Sequence, residues 1–177
     1  MEVVSSAGLV DYRHFIFANG IKVASYSRTS ASVNTLYYLR QDLLGGVSGI
    51  ISADGTSFVK ESFSAFGARR SACDWKSAIT AGDQALMNAV TRHGYTWQTA
   101  LGNMGLNDMN GRVQDAVTGR FLSADPYITQ PENTQNFNRY SYVLNNPLRY
   151  VDPSDLFFGL HYYLHAKTRC LFKWIGK

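Results

Sequence analysis

The residues of this 177-residue chain whose types could support chemistry are few. His161 and His165 stand four apart, so on a helix both imidazoles would share a face, as in a two-histidine metal motif. A metal site draws on at least three protein ligands, and no third is evident, so no metal is expected. Cys73 and Cys170 lie in no CxxC and near no histidine at ligand spacing, and they read as free thiols. Asp125 and Asp152 each precede a proline. Aspartate in that position commonly accepts hydrogen bonds from its own backbone and fixes a turn. No cofactor is expected.

The elements that would position these residues are β-strands. Only 17% of the chain is charged, while 11 Tyr, 10 Phe and 15 Gly favour strands and turns over helices. The net charge of +4 is matched by four basic residues in the tail, Lys167, Arg169, Lys173 and Lys177. The body is balanced and gives no nucleic-acid footprint. No apolar run approaches the roughly 20 residues of a membrane span. The first ten residues lack the basic and apolar regions of a signal peptide.

Residues 9–17 alternate, with Tyr12, His14 and Ile16 on one side and Arg13, Phe15 and Phe17 on the other. Asn19-Gly20 then predicts a hairpin into the alternating run 21–28, because both turn residues tolerate positive φ. Further strands are expected at 36–40, 47–52 and 57–63, with a second hairpin turn at Asp54-Gly55 and a bend or bulge at Gly45-Gly46. Residues 71–92 change character. Asp83 is expected to cap a short helix through Arg92, with Ala85, Leu86, Ala89 and Val90 on its apolar face. Short strands resume around Asn110-Gly111 and Thr118-Gly119, and one helical turn is expected before Asn145-Asn146-Pro147. The fold class is mainly β: an antiparallel meander with a short helical insertion and a turn-rich C-terminal core.

The stretch from Tyr37 to Asp155 resembles the Rhs repeat-associated core domain of the bacterial Rhs/YD-repeat proteins. The family's YxxxDxLGSV, D-G hairpin and FGxRR units stand here as YYLRQDLLGGVSGIISADGTSFVKESFSAFGARR. Its later units stand as GLNDMNGRVQDAVTGRFLSADP and NRYSYVLNNPLRYVDPSD. The resemblance implies three regions: YD-repeat-like strands over 1–36, the core over 37–156, and a variable C-terminal tail over 157–177. In the family, YD strands spiral into a hollow β-cage that the core closes, and the variable segment is often a toxin. A tail of 21 residues is too short to bury a catalytic core of its own.

The resemblance also implies self-cleavage of the aspartic-protease kind at the core–tail junction, here between Leu156 and Phe157. Two carboxylates sharing a site titrate apart, so one takes a proton from water while the other donates one. The motif positions nominate Asp115, Asp125 and Asp152, with Arg120 to position or polarise one of them. The chain departs from the pattern at Asp155, where the family has Gly, and at Gln114, Trp97 and Gly46. Asp155 places a charge beside the scissile bond and replaces a conformationally free residue, so cleavage is expected to be slow or absent. At most the chain is autoproteolytic.

Three functions follow. The first is a structural core piece of an Rhs-family toxin or cell-surface protein that closes a cage and carries a variable segment. The second is an aspartyl self-protease cleaving after Leu156. The third is a Tyr-rich β-surface that binds carbohydrate or a partner chain. The partners implied are other shell segments or a secretion-system carrier, and an immunity protein, with no nucleic acid. The implied location is bacterial, secreted or at the cell surface through a larger carrier. The tail's aromatic and basic residues suit an acidic membrane surface or a loosely docked end.

Overall fold

The structure, a computed structural model, describes residues 1–6, 8–126, 128 and 133–152. The expected cleavage position at Leu156 and Phe157 lies outside the described residues, as do Asp155, His161, His165, Cys170 and the rest of the tail.

The chain forms two compact units, residues 1–63 with 69–97, and residues 64–68 with 98 onward. The first is built on a seven-stranded antiparallel sheet whose strands follow in strict sequence order. They are β1 (Glu2–Ser6), β2 (Leu9–Ala18), β3 (Ile21–Thr29), β4 (Asn34–Gln41), β5 (Val47–Ser52), β6 (Phe58–Phe63) and β7 (Arg69–Ser71). The turn chemistry explains the order. Asn19 and Gly20 sit at φ 49° and 75°, the conformation a two-residue hairpin requires. Asp54 accepts the Thr56 amide at 3.0 Å and ties the β5–β6 connection. The strand at 2–6 has no strong alternation in sequence and lies in the stretch 1–36 where the resemblance implies strands.

The face expected for β2 holds up to Phe15, and the cap and face expected for the helix are corrected. Arg13 is buried and Phe15 partly buried, as the alternation predicts, but Phe17 is 59% exposed. The register between β2 and β3 shifts between Ile16 and Phe17, with the extra residue on β3. The Lys22 ammonium lies 5.8 Å from the Phe17 ring and 4.1 Å from the Trp97 ring that meets Phe15, so Phe17 keeps its side of the sheet and is exposed at the end of the strand. The helix, α1, spans Ala81–Val90. Thr80 is its cap, not Asp83: the Thr80 hydroxyl accepts the Asp83 amide and donates to the Asp83 carboxylate at 2.8 Å. This reciprocal arrangement is close to a capping box, with Asp83 one turn inside the helix. The buried face is accordingly Met87 and Val90, with Leu86 beside it, while Ala85 and Ala89 are exposed.

Met87 and Val90 pack with Leu39, Val47, Ile50 and Val59 to form the core of this unit. Polar side chains of the sheet complete the end of α1. Arg13 donates to the Asn88 carbonyl at 3.1 Å and the Ser25 hydroxyl to the Val90 carbonyl at 3.2 Å. These take up carbonyls that a helix C-terminus leaves without intrahelical partners. Arg13 is itself held by Asp11 at 2.7 Å and Glu2 at 3.7 Å.

The second unit is built on a four-stranded sheet ordered β11-β10-β9-β8. Its strands are β8 (Thr99–Ala100), β9 (Leu106–Asp108), β10 (Val113–Asp115) and β11 (Arg120–Phe121). The hairpins fall where Asn110-Gly111 and Thr118-Gly119 predict them, with Asn110 at φ 69° and Gly119 at φ 70°. Met109, Ala116, Phe121, Tyr142 and Val143 are its buried apolar residues.

Candidate functional site

The candidate residues Asp115, Arg120, Asp125 and Asp152 all belong to the second unit. Asp115 closes the β10–β11 hairpin. Its carboxylate accepts the Val117 amide at 2.8 Å, the Thr118 amide at 3.3 Å and the Thr118 hydroxyl at 2.9 Å. The Val117 amide is the chief cause that holds this carboxyl below the usual carboxylate range. Arg120 lies directly across the ladder from Asp115, is exposed, and forms a bridge with Ser141.

Asp125 sits in a different setting. After β11 the chain runs beside the segment 139–141: Phe121 donates its amide to the Tyr140 carbonyl at 2.9 Å, and Asp125 donates its own to the Arg139 carbonyl at 2.8 Å. Arg139 returns a side-chain hydrogen bond to the Asp125 carbonyl at 2.6 Å. The Asp125 carboxylate, nearly buried, pairs with the buried guanidinium of Arg112 at 3.0 Å. That guanidinium lies 3.7 Å from the centroid of the Phe121 ring, and Phe121 meets Tyr142 edge-on at 5.8 Å. Aromatic faces stabilise a cation away from water, so Arg112 is held from two sides.

A small cavity lined by Arg112, Asp125, Asn138, Arg139 and Ser141 has a volume of about 20 Å³. That is room for a single water molecule among several polar groups. Asp152 is also buried in this unit, at 3% exposure. Arg112, paired with Asp125, was not among the expected residues. Its signal was an arginine just past the Asn110-Gly111 turn, and Arg139 likewise begins the RYSY segment.

One expectation for this region is corrected. Residues 143–145 form a tight turn, but not a right-handed helical one: Val143, Leu144 and Asn145 sit at φ 42°, 56° and 57°. A β-branched residue in the left-handed region is costly, on the order of 1–3 kcal/mol. Burial of Val143 and of Tyr142 before it offsets that cost. The arrangement can present one buried carboxylate, a fixed positive charge and space for a water.

No protein-family model and no curated protein matches the chain. Solved structures do. The crystal structure described as TcdB2-TccC3-TEV is similar at a TM-score of 0.58 and 19% identity over 82% of this chain. TcdB2-TccC3 gives 0.59 and 19%, and TcdB2-TccC3 without its hypervariable C-terminal region gives 0.59 and 20%, each over 82% of this chain. The match covers 6–7% of those chains. At this identity the likeness establishes a shared fold.

Proposed function

We propose that this chain is a structural piece of an Rhs-like toxin shell, which joins other shell segments through its sheet edges and carries a variable C-terminal segment. One observation carries the reading: seven strands in strict sequence order, with β1 bonded only to β2 among the described residues. A sheet ended in this way offers unpaired amides and carbonyls to a further strand. The likeness to TcdB2-TccC3, one form of which is described as lacking a hypervariable C-terminal region, supports the division into core and tail. Export through a larger carrier belongs to the same reading.

Sedimentation velocity tests the edge. The isolated chain is expected to self-associate in the micromolar range through β1, and Val3→Pro, which removes an amide donor that faces away from β2, is expected to return it to monomer. A parent chain that stays monomeric across that range, with its circular dichroism intact, would rule out β1 as a joining edge.

A second reading, aspartyl self-cleavage between Leu156 and Phe157, is favoured by the buried Asp125–Arg112 pair beside a water-sized cavity. In this reading Asp125 and Asp152 are the working carboxylates and the cavity holds the attacking water. Asp115 is assigned to its turn, where its oxygens already serve Val117 and Thr118, and Arg120 to the sheet.

A further inference from the structure

The seven-stranded sheet has a second face, opposite the hydrophobic core. There Arg40, Gly49 and Lys60 are successive cross-strand partners on β4, β5 and β6. Two cationic side chains therefore rise on the same side of the sheet, about 10 Å apart, with bare backbone between them. A Cβ on Gly49 would lie 2.9 Å from the Val59 carbonyl oxygen, so no side chain fits between the two cations, and Gly49 itself is buried.

Arg40 and Lys60 line a cleft of about 740 Å³ with Ser48, Ser62, Leu43 and Trp75. Small-ligand sites span roughly 300–1,000 Å³. Both cations are exposed, and neither forms an ion pair among the described residues. Lys60 rests its ammonium 4.7 Å from the Phe58 ring centroid. Asp42 and Glu61 also border the cleft, but their carboxylates do not serve it. Asp42 accepts the Leu44 and Gly46 amides at 2.9 and 2.8 Å, and the Glu61 side chain is fully buried against Arg69. The accessible charge is positive.

Trp75 is the second observation. It is 64% exposed, although burying an indole would stabilise the fold. Its backbone sits at φ 62°, an uncommon conformation for a bulky residue. A rigid turn holds it there. The Trp75 amide donates to the Ser71 carbonyl at 3.1 Å, and Asp74 accepts the amides of Lys76 and Ser77, both at 3.1 Å, and the Ser77 hydroxyl. A strained, ordered turn that presents an indole at the rim of a cleft fits a binding platform.

We propose that this cleft binds an anionic saccharide, whose carboxylate or phosphate sits between Arg40 and Lys60 while the apolar face of a sugar ring packs on Trp75. The site lies on the first unit and is independent of the shell and self-cleavage readings.

Isothermal titration of the full 177-residue chain tests it with four probes: trigalacturonate, its methyl ester, glucose 6-phosphate and hexaglutamate. Binding of trigalacturonate or of glucose 6-phosphate, with loss in the methyl ester, is expected, and it identifies the favoured anion. Arg40→Gln and Lys60→Gln are each expected to weaken binding about tenfold, the worth of one charge-assisted contact. Trp75→Ala is expected to weaken it about as much. Arg28→Gln, which removes an exposed cation outside the cleft, should change nothing. Circular dichroism of each variant confirms the fold. An equal loss in Arg28→Gln would reduce the effect to net charge and overturn the proposal. So would tighter binding of hexaglutamate, an unaffected Trp75→Ala, or no binding of either saccharide at about 10 mM.

Discussion

Glu61 occupies a position where the alternation of β6 calls for an apolar side chain. It follows Val59 on the inner face, is 2% exposed, and neither carboxylate oxygen accepts a hydrogen bond. Arg69 stands 3.5 Å away, but loss of water outweighs that attraction and raises the Glu61 pKa from 4.5 to about 7; Asp42, itself raised by burial, adds a smaller push. Between these two values the folded chain keeps a proton that the unfolded chain has released. The unfolded state then binds fewer protons, so stability falls as pH rises through that window and is fully present below it. Glu61→Gln removes the titration. Urea unfolding should give nearly equal stabilities for parent and variant at about pH 5, and a variant more stable by a few kcal/mol at about pH 8. Parallel pH profiles for the two proteins would show that Glu61 does not titrate in the core. Arg112 makes the opposite case. Its removal in Arg112→Ala leaves the Asp125 carboxylate nearly buried beside an uncharged gap, and a loss of about 3 kcal/mol is expected in thermal or urea unfolding. A loss below about 1 kcal/mol would mean that the pair is solvated like a surface ion pair.

At the scale of elements, α1 and the hairpin glycines fix each unit. Met87 is fully buried, and Met87→Ala should cost about 3 kcal/mol in the first unit, read as a lower urea midpoint with an unchanged slope. Gly119 is more tightly constrained: its φ is 70°, and an added Cβ would lie 2.7 Å from the Phe66 ring. Gly119→Ala should therefore destabilise the second unit by at least about 1–2 kcal/mol, and an alanine tolerated there at full stability would show that Phe66 moves aside freely. The strands and their turns were legible in the sequence because Asn-Gly, Asp-Gly and alternating apolar residues act locally. What was not legible depends on distant partners. The β2–β3 register shift is set by the extra residue on β3, so the exposure of Phe17 at the strand end was not legible. The face of α1 was misjudged because the two alanines suit either environment, while Met87 had only the core to fill. The candidate site was half legible: the aspartates stand in recognisable turns, but the Arg112 partner becomes visible only when β10 and β11 are folded together.

At the scale of the whole chain, the question is whether the buried Asp125 acts on the junction before Phe157. Hydrolysis of the aspartic-protease kind needs one carboxylate to take a proton from water and a second carboxyl to donate one. Asp115 is held below the usual range and committed to its hairpin, which leaves Asp152 as the second carboxyl to pair with Asp125. The junction itself carries Asp155, a negative charge one residue before Leu156 in the sequence and a residue less free than glycine. Intact-mass measurement of the incubated chain should therefore show mostly full-length protein. Asp155→Gly should increase the appearance of fragments 1–156 and 157–177, by about tenfold if relief of one unfavourable charge contact is the main effect. Asp125→Asn in the Asp155→Gly background should abolish the fragments, and so should Asp152→Asn. Fragments that persist in either double variant would remove that aspartate from the mechanism. An Asp155→Gly chain that stays whole, with both units folded, would leave Asp125 and Arg112 as a structural ion pair.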